Sequence, residues 1–309
     1  MDAKQSDKVN DKRPIVCGTD FSATSCEATN IAAGLARRLK TKLILVHVTA
    51  FRSLGVVDPS SLNAALEQER AELSREVERL RKDGTETESQ FRSGSPFEEL
   101  ITAAVEAHGR LIVIGAVGHG MARRILIGSV AERTAEASPV PTLVVRPGGK
   151  LKSWVQGDST IRVLLGYDFS PAGDAALQWV SRLLALGRCE IHIVHLYRPT
   201  AKAIRLEYKE PSPPDETPEP NQTALQRELE ERVAKIIPTD AVMLSVQSAL
   251  GAFEGCLFEI SHGEKVDLVV VGTHQRAGLG RIRFGSVSRS VLHHARISVA
   301  IIPPGEAAS

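Results

Sequence analysis

Three glycines in the first half of the chain are spaced in a way that suits anion binding. Gly115 ends the apolar run LIVIG, Gly118 follows three residues later, and Gly128-Ser129 precedes a helical pattern. A helix N-terminus carries unpaired backbone N–H groups and a partial positive charge, and glycines let a phosphate approach where a Cβ would obstruct it. The pattern therefore favours a phosphate site over a solvated glycine-rich turn. The loop between these glycines adds three side chains that complement phosphate charge: His119, Arg123 and Arg124.

A carboxylate follows the first apolar run. Asp20 stands in GTDFS, just before a helix that is predicted to start near Ser22, and Asp168 repeats it in the second half. In this place an Asp either accepts a hydroxyl of a ribose or stabilises the helix N-terminus through the helix dipole. The repeat is compatible with both roles, so the residues alone leave both open.

Other catalytic patterns are missing from the sequence. It contains no G-x-x-x-x-G-K-[ST] loop, no G-x-S-x-G elbow and no H-E-x-x-H pair. His47 and His195 end apolar runs, where hydrogen-bonded structural histidines are expected, and Cys17 is expected to pack as a small apolar residue. The sequence therefore predicts no catalytic residue and no metal ligand.

Composition excludes several classes of protein. The 309 residues include 38 Lys and Arg against 37 Asp and Glu, and only 4% are aromatic, which disfavours a nucleic-acid-binding protein. No apolar run approaches the roughly 20 residues that span a bilayer, and the charged N-terminus lacks the apolar stretch of a secretory signal. The four cysteines are scattered, without a disulfide or zinc pattern. We expect a cytoplasmic protein that binds neither nucleic acid nor membrane.

The chain repeats itself. IVCGTDFS at 15–22 matches VLLGYDFS at 163–170, and LIVIG at 111–115 matches LVVVG at 268–272. The second spacing is longer, which places an insertion in the proline-rich segment 210–221. We predict two domains, joined by a linker rich in glycine and polar residues. Their bounds are 12–147 and 160–305.

Each half alternates short apolar runs with helical patterns. Uninterrupted Val, Ile and Leu runs fit strands that are buried on both faces of a parallel sheet, and strand–helix alternation implies right-handed crossovers. The predicted fold is α/β, doubly wound and present twice, with ligands bound beyond the carboxyl ends of the strands. The predicted strands of the first half are 14–19, 43–48, 86–92, 111–115 and 141–145.

These residues carry a family resemblance. The spacing Gly115-x2-Gly118-x9-Gly128-Ser129 is similar to the nucleotide motif G-2x-G-9x-G-(S/T) of the universal stress proteins, and Asp20 ends the first strand as in that family. The resemblance covers both halves, so the chain looks like a tandem universal stress protein. It implies a five-stranded parallel sheet of order 3-2-1-4-5 in each domain, with helices on both faces.

The resemblance also implies a ligand, ATP or ADP, held across strands one and four, with Mg²⁺ as an accompanying ion that Ser129 is placed to contact. By the same resemblance, Thr19 and Asp20 line the ribose and phosphate side, and the backbone of Val48 meets adenine. The residues that it assigns to the triphosphate are Gly115, Gly118, Gly128, Ser129 and Val130.

The second half departs from this pattern. Gln275 occupies the position of the second glycine, and Phe253 stands where the first half has Pro96. A Cβ at 275 would crowd the phosphates, so we expect a degenerate second site and one nucleotide per chain. Three arginines keep that loop basic: Arg276, Arg281 and Arg283.

The resemblance predicts a stress-response protein that regulates or senses through its bound nucleotide, with an unknown regulatory protein partner. Hydrolysis of ATP is expected to be slow at most, since the motif brings no general base or metal cluster. The alternative is an interaction scaffold that binds no nucleotide. An ATP-dependent enzyme of the wider superfamily is a third hypothesis, disfavoured because the adenylation signatures are missing.

The last apolar runs of the two halves, 141–147 and 298–304, are expected to pair with each other. Family dimers commonly pair these edge strands, and pairing covers an exposed apolar edge. The chain is therefore predicted to be a dimer within itself, and a homodimer through another face stays open.

Overall fold

The computed structural model describes residues 12–49, 59–118, 127–199, 222–273 and 285–305. The chain separates into two compact units, an N-terminal unit (1–158) and a C-terminal unit (159–309). Within the described ranges, no helix is long and apolar enough to cross a membrane. Several residues of the sequence analysis lie outside these ranges: His119, Arg123, Arg124, the segment 210–221, Gln275, Arg276, Arg281 and Arg283.

The N-terminal unit alternates strands and helices as its apolar runs predict. Its strands are β1 (Ile15–Thr19), β2 (Leu43–Thr49), β3 (Thr87–Ser93), β4 (Leu111–Gly115) and β5 (Thr142–Val145). Its helices are α1 (Ala23–Leu39), α2 (Pro59–Lys82), α3 (Pro96–Glu106), α4 (Ser129–Ala137) and α5 (Leu151–Gln156).

The C-terminal unit follows the same order of elements. Its strands are β6 (Ile161–Gly166), β7 (Cys189–Tyr197), β8 (Val242–Ser248), β9 (Leu268–Gly272) and β10 (Ser298–Ile302). Its described helices are α6 (Pro171–Leu184), α7 (Gln222–Ala234), α8 (Phe253–Gly263) and α9 (Ser286–His294), with a 3₁₀ turn at Thr239–Ala241.

The strand order confirms the predicted fold class. The N-terminal sheet runs β3-β2-β1-β4-β5, and the C-terminal sheet runs β8-β7-β6-β9-β10, which is the order 3-2-1-4-5 in each unit. The pairs β1–β2 and β1–β4 are parallel, as are β6–β7 and β6–β9. The order reverses beside β1 and beside β6, so ligands are expected at the carboxyl ends of these strands.

Neighbouring residues of β1 show that helices cover both faces of the sheet. Cys17 is buried and its thiol lies 3.7 Å from Thr29 Oγ1 on α1, whereas a Cβ at Gly18 would lie 2.9 Å from Leu100 on α3. Successive residues of a strand point to opposite faces, so α1 and α3 lie on opposite sides. Burial raises the pKa of the Cys17 thiol to about 12, as suits an apolar residue in the core.

Two segments differ from the simplest sequence interpretation. The predicted linker contains helix α5, whose Trp154 is buried and whose Val155 carbonyl accepts a hydrogen bond of 2.8 Å from Arg38 Nε on α1. Strand β3, at the edge of its sheet, is largely exposed rather than buried on both faces. Edge strands have a neighbour on one side only, so the expectation of two buried faces holds for the central strands.

Candidate functional site

The turn between β1 and α1 is held by its own side chains. Asp20 Oδ1 accepts a hydrogen bond of 3.1 Å from the Ser22 backbone N–H. Ser22 is the N-cap of α1, and its hydroxyl accepts a bond of 3.3 Å from the Ser25 N–H. These bonds form an Asx turn followed by a helix cap. One carboxylate oxygen of Asp20 therefore has a local structural role.

The other carboxylate oxygen of Asp20 lies against Gly118. A Cβ placed on Gly118 would come within 3.0 Å of Asp20 Oδ2, closer than real Cβ atoms approach a neighbour. Strands β1 and β4 are adjacent, so the residues that follow them meet at one edge of the sheet. The structure thus brings together the predicted ribose residue and the predicted second glycine.

Gly115 permits a different close approach. A Cβ at this position would lie 3.0 Å from the backbone carbon of Thr24 and 3.1 Å from the Ser25 nitrogen, in the first turn of α1. In the C-terminal unit, a Cβ at Gly272 would lie 2.6 Å from the backbone of Ala172, in the first turn of α6. The glycine that ends each fourth strand therefore lets a helix N-terminus pack against the strand end.

Helix α4 begins at the same edge of the sheet. The Gly128 N–H donates a hydrogen bond of 2.7 Å to the Ala116 carbonyl, which ties the helix start to the residue after β4. Gly128 is the N-cap and makes no side-chain cap, and Ser129, the first helical residue, is exposed. Val130 follows and is half-buried. This predicted triphosphate segment thus presents a helix N-terminus beside Gly115 and Gly118.

The end of β2 completes the N-terminal site. His47 Nδ1 donates a hydrogen bond of 2.8 Å to the carbonyl of Thr19, and its ring stacks on Phe21 with 4.6 Å between centroids. The prediction of a hydrogen-bonded structural histidine is confirmed for His47. Val48 follows it at the carboxyl end of β2, on the far side of β1 from β4.

Phe21 was not identified from the sequence. It has a positive φ of 63°, and Phe169 in the C-terminal unit has a φ of 60°. Phe169 also packs on a histidine, His195, whose Nδ1 donates a bond of 2.9 Å to the Tyr167 carbonyl. A left-handed residue other than glycine costs roughly 1 kcal/mol and concentrates at functional turns. The signal available in the sequence was the repeated tripeptide Asp-Phe-Ser.

The C-terminal unit has a cavity of about 310 Å³ at the corresponding edge. The two repeat spacings align seven of the eight predicted site residues with residues that line it, and the eighth corresponds to Gln275, outside the described ranges. The aligned residues are Tyr167, Asp168, Leu196, Gly272, Gly285, Ser286 and Val287. This fold therefore gathers the predicted positions around one cavity.

The C-terminal cavity differs in its lining. Phe253 and Leu257, both from α8, line it beside Leu196. Tyr167 replaces Thr19, and its buried hydroxyl donates to the Asp174 carboxylate; burial and this bond raise the pKa of Tyr167 above its ordinary value. A Cβ at Gly173 would lie only 3.1 Å from the Tyr167 ring, so the glycine leaves room for this bulky side chain.

The described residues contain no group of three or more His, Cys, Asp or Glu side chains that could hold a metal ion. Ser129, which the family resemblance places near Mg²⁺, is exposed at the start of α4.

Comparison with known proteins gives consistent matches. The model of a family described as the universal stress protein family matches residues 12–146 and 161–303. A universal stress protein from Mycolicibacterium smegmatis is 25% identical over 302 residues, covering 94% of this chain and 97% of that protein. One from Methanocaldococcus jannaschii is 29% identical over 139 residues, covering 43% of this chain and 82% of that protein.

A solved structure supports the fold over nearly the whole chain. The crystal structure of a universal stress protein from Archaeoglobus fulgidus aligns with a TM-score of 0.68 at 22% identity, covering 95% of this chain and 97% of that one. At this identity the likeness concerns the fold alone.

Proposed function

This chain belongs to the universal stress protein family, and from that premise we propose that it is a cytoplasmic stress-response protein that binds ATP or ADP in its N-terminal unit and regulates or senses through that nucleotide. The proposed site consists of the residues gathered at the carboxyl edge of the first sheet. They are Thr19, Asp20, Val48, Gly115, Gly118, Gly128, Ser129 and Val130.

One observation carries the proposal: the counterparts of seven of these eight residues line a single cavity in the C-terminal unit. In the N-terminal unit, Gly118 lies against Asp20, and the hydrogen bond from Gly128 to Ala116 ties the start of α4 to the end of β4. Unpaired amides at the start of α4 suit phosphate, and a carboxylate oxygen suits ribose hydroxyls. Both groups of atoms lie at the strand-order reversal, where such folds bind ligands.

Mass spectrometry of the small molecules released from purified protein tests this function. The proposal predicts an adenine nucleotide in about equimolar amount in wild-type protein and its loss in Gly118→Gln. Gly149→Gln is the matched control, because a Cβ at Gly149 meets no atom within 4 Å. Protein that releases no nucleotide, and binds none when ATP or ADP is added, would instead favour the interaction scaffold.

A further inference from the structure

A second polar cluster lies in the C-terminal unit, on the inner part of β7 and β8 beside the end of α8, and its residues do not line the cavity at the carboxyl edge of this sheet. His192 on β7 is buried, with Nδ1 2.9 Å from the Glu264 carboxylate and Nε2 2.7 Å from Ser245 Oγ on β8. Both distances are those of hydrogen bonds, as required between a nucleophile and its base and between the base and the group that orients it. We propose that Ser245, His192 and Glu264 form an esterase site.

The hydrogen bonds define which atom of the histidine is the base. A carboxylate accepts hydrogen bonds, so Glu264 fixes the proton of His192 on Nδ1 and leaves Nε2 with its lone pair toward Ser245. The Ser245 hydroxyl then donates to Nε2, the direction in which its proton must leave. This is the arrangement of a Ser-His-Glu relay, recognised by geometry rather than by position in the sequence.

Arg162 positions the acid of this cluster. Its guanidinium donates a hydrogen bond of 3.1 Å to the Glu264 carbonyl, and its backbone N–H donates one of 2.9 Å to Asp267. Glu264 is the C-cap of α8, so the strand–helix contact holds the end of this helix beside His192. Arg162 does not touch the serine and acts only through Glu264.

A cavity of about 540 Å³ adjoins the cluster and is lined by His192 and Glu264. Its wall is otherwise largely apolar, and the charge of Arg162 is paired with Glu190 at 2.8 Å. Asp240 adds a negative charge to the lining, which disfavours an anionic substrate. The ligand that suits this cavity is an uncharged carboxylic ester with a small apolar acyl group.

The corresponding positions of the N-terminal unit hold different residues. Ile44 stands at the position of His192 in the repeat, and Gln90 takes the register position of Ser245 on the third strand. Ala107, the C-cap of α3, corresponds to Glu264. These three residues line a cavity of about 400 Å³. The same fold therefore forms in the N-terminal unit without these three polar residues, so packing alone does not require them in the C-terminal unit.

The reaction proceeds in two balanced steps. Ser245 Oγ bonds to the ester carbonyl carbon while His192 Nε2 takes the hydroxyl proton, and the C–O bond to the alcohol then breaks as His192 returns the proton to it. Water attacks the acyl-serine with the same base, which releases the carboxylic acid and restores the hydroxyl. The Gln247 side-chain N–H donates a hydrogen bond of 3.3 Å to Ser245 Oγ, which orients the nucleophile.

Labelling with a fluorophosphonate tests the site in the full-length chain. The serine oxygen bonds to phosphorus as the P–F bond breaks, and the leaving fluoride carries the charge that the proton on His192 balances. We expect one adduct per chain on Ser245, located by tandem mass spectrometry. Ser245→Ala should abolish it, and His192→Gln and Glu264→Gln should each slow labelling by at least about tenfold.

Ser248→Ala is the matched control, because Ser248 lies exposed at the end of the same strand. It should leave the labelling rate and a p-nitrophenyl acetate burst unchanged, whereas Ser245→Ala should remove both. Circular dichroism checks that each variant folds, and Glu264→Gln, a nearly isosteric change, provides the second test of the relay. An adduct on another residue, labelling that is insensitive to His192→Gln, or folded protein without an adduct overturns the proposal.

Discussion

The two units are alike at the carboxyl edges of their sheets and differ away from those edges. At the carboxyl edge each has an Asp in a β–α turn, a left-handed Phe packed against a His, and a glycine that ends the fourth strand against a helix N-terminus. Away from that edge, the C-terminal unit has Ser245, His192 and Glu264 where the N-terminal unit has Gln90, Ile44 and Ala107.

This contrast separates what the fold needs from what a site needs. The residues that both units share make turns and close contacts. Packing therefore explains why the C-terminal unit has them although it has Gln275 at the position of the second glycine. The units differ at two of the proposed ligand positions, where Gly118 corresponds to Gln275 and Thr19 to Tyr167. The nucleotide proposal therefore depends on the differences, and these are the positions to change.

The largest expected effect is on nucleotide affinity in Gly118→Gln. The new Cβ would meet the Asp20 carboxylate within 3.0 Å, and Asp20 is held by its bond to Ser22 N–H. Either the turn breaks or the glycine loop moves away from the phosphate site. We expect a loss of at least ~100-fold, equivalent to ~3 kcal/mol, measured by isothermal titration. Gly149→Gln should retain wild-type affinity, and equal affinities in the two variants would contradict the glycine argument.

The two aspartates are expected to behave differently. Asp20→Ala should weaken nucleotide binding by ~1–3 kcal/mol, the range for losing a hydrogen bond that involves a charged group, while the protein stays folded. Asp168→Ala removes the same carboxylate from the degenerate half and should leave that affinity unchanged. Equilibrium dialysis with labelled ATP measures both variants. Full affinity in folded Asp20→Ala would remove Asp20 from the site.

Substituting the glycine that ends each fourth strand should lower the stability of the unit to which it belongs. Gly272→Ala places a Cβ 2.6 Å from backbone atoms of α6 and should destabilise the C-terminal unit by ~2 kcal/mol. Gly115→Ala, with its nearest contact at 3.0 Å, should cost the N-terminal unit ~1 kcal/mol. Gly255→Ala is the control: it lies in helix α8 with open space around it and should stabilise by ~0.5–1 kcal/mol.

Urea unfolding can follow these changes in each unit. The chain has two tryptophans, Trp154 in the N-terminal unit and Trp179 in the C-terminal unit. Trp179→Phe and Trp154→Phe each leave one fluorescent reporter. If Gly115→Ala destabilised its unit more than Gly272→Ala does its own, close contact with the helix backbone would not explain these glycines.

The last effect concerns pH, and it is absent at neutral pH. Burial raises the pKa of the Cys17 thiol from 9.0 to about 12, so the folded N-terminal unit keeps a proton that the unfolded chain releases. Its stability is therefore full below pH 9 and declines by ~1.4 kcal/mol per pH unit between pH 9 and 12. The C-terminal unit has Leu165 at this position, and its own decline at alkaline pH is expected from the raised pKa of Tyr167 instead. Cys17→Ala should flatten the decline that Trp154 reports, and an unchanged slope would contradict the assignment.

The strands were predictable because the central strands are rich in Val, Ile and Leu and their apolar runs recur in the second half. The predicted starts of α1 near Ser22 and of α4 at Gly128-Ser129 agree with the structure. Helix α2 shows the limit of hydrophobic periodicity: Leu62, Leu73, Val77 and Leu80 recur at helical spacing, but Leu62 is exposed and only the other three are buried. The pattern repeats along the helix, whereas only its second half packs on the unit.

Contacts between residues far apart in the chain could not be predicted from the spacing of residues. Nothing in the spacing showed that Gly118 approaches Asp20, since the two are nearly a hundred residues apart and meet only because β1 and β4 are neighbours. His192 did carry a signal, a polar residue where the repeat has Ile44 in the middle of an apolar run. Its partners Ser245 and Glu264 lie on an edge strand and a helix cap, where sequence pattern sets no register.

The most direct test of the account is the stoichiometry of ATP binding to the wild-type chain after its nucleotide has been removed. Calorimetric titration should give one tight site per chain, and that site should disappear in Gly118→Gln while Gly149→Gln retains it. Two equal tight sites, or one site that survives Gly118→Gln, would contradict the claim that the N-terminal unit alone holds the nucleotide through its glycines.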